Sequence, residues 1–118
     1  MSNYIEDSIL DSVKSSLGIV EGYPYFDSQL IQDINGVFSK LHQLGVGPDD
    51  GFEITNSEDK WSDYLNDEKR LNLVKTYMSR CIRLLFDPPS NSFAVESIKE
   101  IIKELEWRIT DEVESDLK

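Results

Sequence analysis

Few residues of this chain have side chains suited to nucleophilic or acid–base catalysis. The sequence contains one histidine, His42, and one cysteine, Cys81. His42 has no serine or cysteine at a spacing that indicates a catalytic triad, and a lone helical histidine is far more often a surface or packing residue than a catalyst. Cys81 falls on the apolar stripe of a predicted helix, where a free cysteine usually serves as a small core residue. We therefore predict no catalytic residue and a protein that is not an enzyme.

Metal and cofactor sites have equally little support in the sequence. A four-ligand zinc site needs more side chains than one Cys and one His supply. The acids of residues 49–53 lack the alternation and the terminal Glu of a calcium-binding EF-hand loop. The two glycines of residues 45–47 are followed by Pro48 rather than by a helix, which does not fit the dinucleotide-binding fingerprint. We expect neither a bound metal nor a cofactor.

The charge distribution points toward protein partners. The chain has 118 residues, the size of one domain, and a formal net charge of −11. So acidic a protein repels phosphate backbones, which disfavours nucleic-acid binding as its main activity. Residues 69–86 are the exception, because they carry five basic residues and no acid. This basic segment has two interpretations: a helix face that pairs with the acidic remainder, or a docking face for an acidic partner.

The apolar residues do not indicate a membrane or secreted protein. No apolar stretch is long enough to cross a bilayer. The first residues lack the basic start and apolar segment of a signal peptide, so a cytoplasmic location is expected.

Apolar residues recurring every three or four positions predict an all-α fold, a small bundle of about five helices without a substantial sheet. The first helix is expected from about residue 3 to residue 17, and the third is short. Gly45, Gly47, Pro48 and Gly51 interrupt the pattern, so residues 45–57 are predicted to be a long, mobile loop with a possible short extended piece. The predicted helix starts are Asn3, Asp27 or Ser28, Ser57, Asp67, and Asn91 or Ser92.

The two tryptophans and the C-terminal end receive separate predictions. Trp61 lies on the apolar side of the short third helix and is expected in the core. Trp107 lies off the main stripe of the last helix, so an interface and the core are equally good interpretations. Residues 111–118 are acidic and poor in core residues, and they are predicted to fray as a tail outside a domain formed by residues 1–110.

Three segments, residues 74–77, 83–93 and 102–109, carry a family resemblance. Residues 86–89 read Phe-Asp-Pro-Pro at the end of a helix, and residues 104–108 read Glu-Leu-Glu-Trp-Arg in the last helix. Both resemble the corresponding segments of small head-tail connector proteins, also called adaptor or head-completion proteins, of long-tailed phages of Gram-positive bacteria. The resemblance covers about residues 67–110 well, and the first half matches only in its layout of short helices.

The resemblance implies a structural virion protein. Such connectors form a ring, typically a dodecamer, on the portal protein, extend the DNA channel and bind the stopper or tail-completion protein. DNA would only pass through, and the protein would reside in the virion neck after assembly in the host cytoplasm. The implied portal-binding tail comprises Trp107, Arg108, Ile109, Glu112, Val113, Leu117 and Lys118. Contacts to neighbouring copies or the next neck protein are expected from Asp49, Asp50, Phe52, Ile54, Lys69, Arg70, Lys75, Arg80 and Arg83.

The same composition leaves an alternative function open. A small acidic regulatory or inhibitory protein, encoded by a phage or a bacterium, would bind a single protein partner. That alternative predicts a compact monomer or dimer whose acids cluster on one face.

Overall fold

The computed structural model describes residues 7–20 and 22–116. Within these residues the chain forms five helices and no strand, which confirms the all-α prediction. The first helix begins later than predicted, and residues 3–6 of its predicted range lie outside the described part. The third helix begins at Trp61 rather than at Ser57. The helices are α1 (Ile9–Ser16), α2 (Asp27–Gln43), α3 (Trp61–Tyr64), α4 (Glu68–Phe86) and α5 (Ser92–Asp116).

The fourth helix is the element on which α1, α2 and α5 pack. The side chain of Asp67 caps its start by accepting a hydrogen bond from the backbone N–H of Arg70, at 3.2 Å. It ends at Phe86 because Pro88 and Pro89 follow closely and cannot continue a helix. Between these ends one stripe of α4 is buried, formed by Leu71, Val74, Tyr77, Met78 and Ile82. Burial of these five large side chains makes α4 a major contributor to core stability.

An aromatic cluster fills the core between α2, α3 and the loop that connects them. The Phe38 ring lies 4.6 Å from that of Tyr64 and 5.0 Å from that of Phe52, measured between centroids. Trp61 is 1% exposed, and its indole N–H donates a hydrogen bond to Ser12 Oγ of α1 at 3.2 Å. The prediction that Trp61 belongs to the core is confirmed. Helix α3 has only one turn, which is too short to be stable alone, so its packing against α1 and α2 stabilises it.

A buried lysine fastens the turn between α1 and α2. Lys14 is 3% exposed, and its ammonium donates hydrogen bonds to the carbonyl of Tyr23, at 2.7 Å, and to Asp27 Oδ1, at 2.8 Å. The same turn places the Phe26 ring against that of Phe86, 5.0 Å away. The ion pair and the ring contact therefore tie this turn to α1 and to the end of α4.

The loop of residues 45–57 differs from the mobile segment predicted. Ile54 is 1% exposed, and its backbone exchanges two hydrogen bonds with the side-chain amide of Asn35, at 2.8 and 3.0 Å. An asparagine amide presents the same donor and acceptor as a peptide group, so Asn35 acts as a one-residue strand partner. The loop is consequently attached to α2 at its middle.

The C-terminal end also differs from the frayed tail predicted. Helix α5 continues to Asp116, and Val113 packs against the core beside Gly45. The helix persists because Arg70 of α4 pairs with Glu112 and Asp116. Leu117 and Lys118 lie outside the described residues.

The Lys14 ion pair generates a stability prediction. The variant Lys14→Met keeps the apolar stem but removes the ammonium, so the Tyr23 carbonyl and the Asp27 carboxylate lose their common partner. We expect a loss of about 2 kcal/mol in the free energy of unfolding, measured by urea denaturation, since removing one member of a largely buried pair leaves the other unpaired. The control Lys40→Met changes an exposed lysine of α2 and should alter stability by less than about 0.5 kcal/mol. Equal stability of the two variants would contradict this role of Lys14.

Candidate protein-binding surfaces

A groove opens where α5 departs from the rest of the bundle. In the second half of α5, Leu105 and Ile109 are buried against the core. In the first half the apolar stripe is only partly covered, and Ile101 is exposed. The space left between α2, α4 and α5 is a groove of about 400 Å³, lined by Gly36, Val37, Lys40, Tyr77, Cys81, Leu84, Leu85 and Ile102. We call it the α2–α4–α5 groove.

The floor of the groove is held by a hydrogen bond between α4 and α5. The Tyr77 hydroxyl donates to Glu106 Oε2 at 2.7 Å, and the phenol ring is buried. Burial, with the hydrogen bond to Glu106 as the next contribution, raises the pKa of Tyr77. Burial also raises the pKa of the adjacent Cys81 thiol to about 11. Both groups are therefore neutral at physiological pH, so the part of the floor that α4 contributes is uncharged, while Glu106 of α5 accepts the hydrogen bond from Tyr77.

A second depression, of about 590 Å³, adjoins the groove at Leu85. Its walls come from the turn before α2, the first part of α2 and the end of α4, and they include Tyr25, Phe26, Gln29, Gln32 and Phe86. Tyr25 and Leu85 are large, exposed apolar side chains. Their exposure on a small domain is typical of a protein-binding surface.

The opposite side of α5 presents an acidic surface with two isolated aromatic rings. Trp107 is 68% exposed, because it lies between the inward-facing Leu105 and Ile109 and so points outward. Phe93 is 80% exposed and lies within about 40° of Trp107 around the helix axis, from 3.6 residues per turn. Of the two interpretations of Trp107, the structure favours an interface over the core. We call this the outer α5 face, formed by Phe93, Glu96, Glu100, Lys103, Glu104, Trp107, Asp111 and Glu114.

The C-terminal end of α5 is clamped to the start of α4 by Arg70. The guanidinium donates to Glu112 Oε1 at 3.2 Å, to the Glu112 carbonyl at 3.4 Å and to Asp116 Oδ2 at 2.5 Å. The Arg70 side chain is less exposed than those of its partners: 17% of it is accessible, against 42% for Glu112 and 62% for Asp116. These three hydrogen bonds stabilise the end of α5 as a helix, where the sequence predicts a frayed tail.

The remaining bases of α4 divide between the two interpretations of the basic segment. Arg83 lies 3.8 Å from Asp87, which is an internal pairing. Lys75 lies over the Trp61 ring at 5.5 Å, and burial lowers its pKa. Lys69 and Arg80 are exposed. Pairing within the chain therefore accounts for Arg70 and Arg83, and Lys69 and Arg80 remain accessible to a partner.

The predicted loop contacts also separate into buried and exposed residues. Asp49 and Asp50 are exposed, and His42 Nε2 lies 3.0 Å from the Asp49 carbonyl. Phe52 is half-buried against Phe38. Ile54 belongs to the core, which leaves it no surface for another subunit in this conformation. In the predicted portal-binding segment, Arg108 is exposed, Glu112 is half-buried, and Ile109 and Val113 face the core.

Other kinds of site have no support in the part of the chain that the structure describes. No group of three or more His, Cys, Asp or Glu side chains there is arranged to hold a metal ion. None of its helices is both long enough and apolar enough to cross a membrane.

Sequence reasoning missed the groove and the depression beside it. Leu85 lies on an apolar stripe that predicts burial. Tyr25 lies in the aromatic-rich turn between the first two helices, where the sequence leaves a contact role and core packing as alternatives. Periodicity carries no signal for either surface, because it does not tell which neighbouring helix covers an apolar stripe.

A comparison with protein families gives one match. The model of a family described as "Phage connector protein" matches residues 9–116, nearly the whole chain. No curated protein and no solved structure matches the chain significantly.

The Arg70 clamp predicts how firmly the end of α5 is held. Replacing Arg70 by Met removes three hydrogen bonds and should speed amide hydrogen exchange at residues 110–116 by about tenfold, or ~1.4 kcal/mol, a modest value because the acids are partly exposed to solvent. Hydrogen exchange followed by mass spectrometry measures this change. The variant Lys69→Met, at the neighbouring exposed position, should leave exchange unchanged. Equal exchange in both variants would show that packing of Val113 alone holds the helix end.

The environment of Cys81 predicts low thiol reactivity. The thiolate is the reacting form, and a pKa of about 11 leaves very little of it at pH 8. Alkylation by iodoacetamide in the folded protein should therefore be at least about tenfold slower than in the urea-unfolded chain, and its rate should still rise between pH 8 and pH 10. A rate that reaches a plateau below pH 9 would contradict the buried, neutral groove floor.

Proposed function

Because the chain belongs to the phage connector protein family, we propose that it forms a ring on the portal vertex and links the capsid to the next neck or tail protein. A structural connector role and interaction with other phage head or tail proteins follow from the family itself. The formation of a ring, the binding to the portal and the binding to the next neck protein go beyond family membership and are our proposal. The family match over residues 9–116 is the observation that carries it.

The charge of the chain supports a position around the DNA path. A ring of copies with a net charge of −11 each would repel the phosphate backbone and let DNA pass without binding it tightly. The protein would act on DNA only by extending the channel. We propose a location in the virion neck, reached during assembly in the host cytoplasm.

The end of α5 is the part that we propose to meet the portal. Ile109 and Val113 face the core and are not available to a partner unless the helix detaches. The end of α5 would therefore contact the portal through its outward side and its last residues. Arg108 is the exposed base on that side, and Leu117 and Lys118 continue the chain beyond the described helix. A helix end held by Arg70 offers a preformed docking element, which lowers the ordering cost of binding.

The loop between α2 and α3 is the proposed contact to the next neck protein. Asp49 and Asp50 are exposed beside the helical bundle, and the clamp from Asn35 to Ile54 holds the loop against α2. A fixed loop presents its carboxylates in one arrangement, which favours recognition of a basic partner surface. This role needs no catalytic step.

The family match favours this function over a small acidic inhibitor. The inhibitor alternative requires the acids to cluster on one face. Exposed acids occur instead at Asp49 and Asp50 in the loop, at Glu68 in α4 and along the outer α5 face.

A binding experiment with the portal protein of the same phage tests the proposal. The purified chain, mixed with portal rings, should co-sediment with them as a multimer. Arg108→Glu should weaken binding by about tenfold, ~1.4 kcal/mol, because it reverses a charge at the proposed docking end. Lys99→Glu makes the same charge change near the other end of α5 and should bind as the unaltered protein does.

A phage that lacks the gene provides the second arm of this test. We expect filled heads that do not join tails, counted by negative-stain electron microscopy. Absence of portal binding, together with normally joined heads and tails in the deletion phage, would rule out the connector function.

A further inference from the structure

The α2–α4–α5 groove and the depression beside it are nearly free of charge. Of the described residues that line the two, one, Lys40, is charged, whereas 30% of all residues in the chain are charged. The lining instead includes Tyr25, Phe26, Phe86 and Leu85. Depletion of charge together with enrichment in aromatic residues is the composition of a buried interface core and not of an ordinary wet surface.

The outer α5 face combines exposed aromatic rings with acids. It carries the exposed rings of Phe93 and Trp107 among five acids and one base, Lys103. Glu100 and Glu104 lie one turn apart on this face, next to Trp107, and strengthen its negative potential. Its two rings suit an apolar groove, and one of its carboxylates can pair with the single lysine of the groove, while the remaining acids would stay in solvent beside the contact.

We propose that the outer α5 face of one copy packs on the α2–α4–α5 groove of the next copy, with Trp107 entering the groove and Glu104 meeting Lys40. This inference rests on the proposed ring, and it assigns Trp107 to a neighbouring copy instead of to the portal. Trp107 would provide the aromatic anchor that protein interfaces commonly have at their centre. The pairing of Glu104 with Lys40 would fix the register of the helix in the groove.

The two surfaces differ, which determines the kind of assembly. A contact between unlike patches of the same chain is heterologous, so each copy keeps one groove and one helix face available for further copies. Repetition with a closing rotation gives a ring rather than a dimer. The groove therefore supplies a contact from which a ring can be built.

Charge-swap variants test the proposed pair. Lys40→Glu and Glu104→Lys should each weaken assembly of rings on the portal by about tenfold, and the double variant should recover most of the loss, as expected for directly interacting residues. Assembly is measured by native mass spectrometry of portal complexes. The matched control combines Lys69→Glu with Glu104→Lys, and it should show no recovery, because Lys69 lies at the start of α4 and does not line the groove.

Truncation of the anchor is the second measurement. Trp107→Ala should reduce assembly by at least about tenfold, since truncation of a central aromatic anchor removes a large share of the binding free energy of an interface. Val20→Ala removes another exposed apolar side chain that lines neither the groove nor the depression, and it should assemble normally. Both proteins should unfold at the same urea concentration as the unaltered chain, because both positions are exposed.

The outcomes separate this inference from the proposed function. Rings that form normally with Trp107→Ala, or charge-swap defects without recovery in the double variant, would overturn the groove contact and leave the connector function intact. If the unaltered chain forms no multimer on the portal, both proposals are wrong.

Discussion

The packing of three helices on α4 is the constraint on which the rest of the structure depends. Helices α1, α2 and α5 all pack against α4. Helix α5 buries Leu105 and Ile109 in its second half, whereas Ile101 in its first half is exposed, and the groove lies between this first half, α2 and α4. The same arrangement turns Trp107 outward. The two surfaces that we assign to contacts between copies thus arise from a single packing geometry.

Side chains outside the apolar stripes decide how the connecting segments are held. Lys14 fixes the turn before α2, Asn35 fixes the loop after it, and Arg70 fixes the end of α5. Each of these residues makes hydrogen bonds to backbone or carboxylate groups that would otherwise bind water. These bonds hold the turn, the loop and the helix end in one conformation. The domain is consequently ordered at the places where partners are proposed to bind.

The sequence predicted the helices better than it predicted what happens between them. Helices α2 and α4 follow directly from their stripes and from helix-stopping residues, such as Gly45 and the prolines after Phe86. The loop and the C-terminal end were predicted to be mobile because their order comes from residues far along the chain. Arg70 and Asp116 are separated by 46 positions, and no local pattern reports such a pair. Likewise, periodicity places Leu85 on an apolar stripe but does not tell whether a neighbouring helix reaches it.

The proposal of a connector function rests on family membership and on the distribution of charged and apolar residues over the surface. Membership accounts for a role in joining phage components, and the exposed surfaces indicate how copies of the chain could be arranged. Electron cryo-microscopy of the portal protein mixed with this chain tests the central claim most directly. The account predicts a closed ring on the portal vertex in which the outer α5 face of each copy contacts the α2–α4–α5 groove of its neighbour. Portal particles without any added density would contradict it.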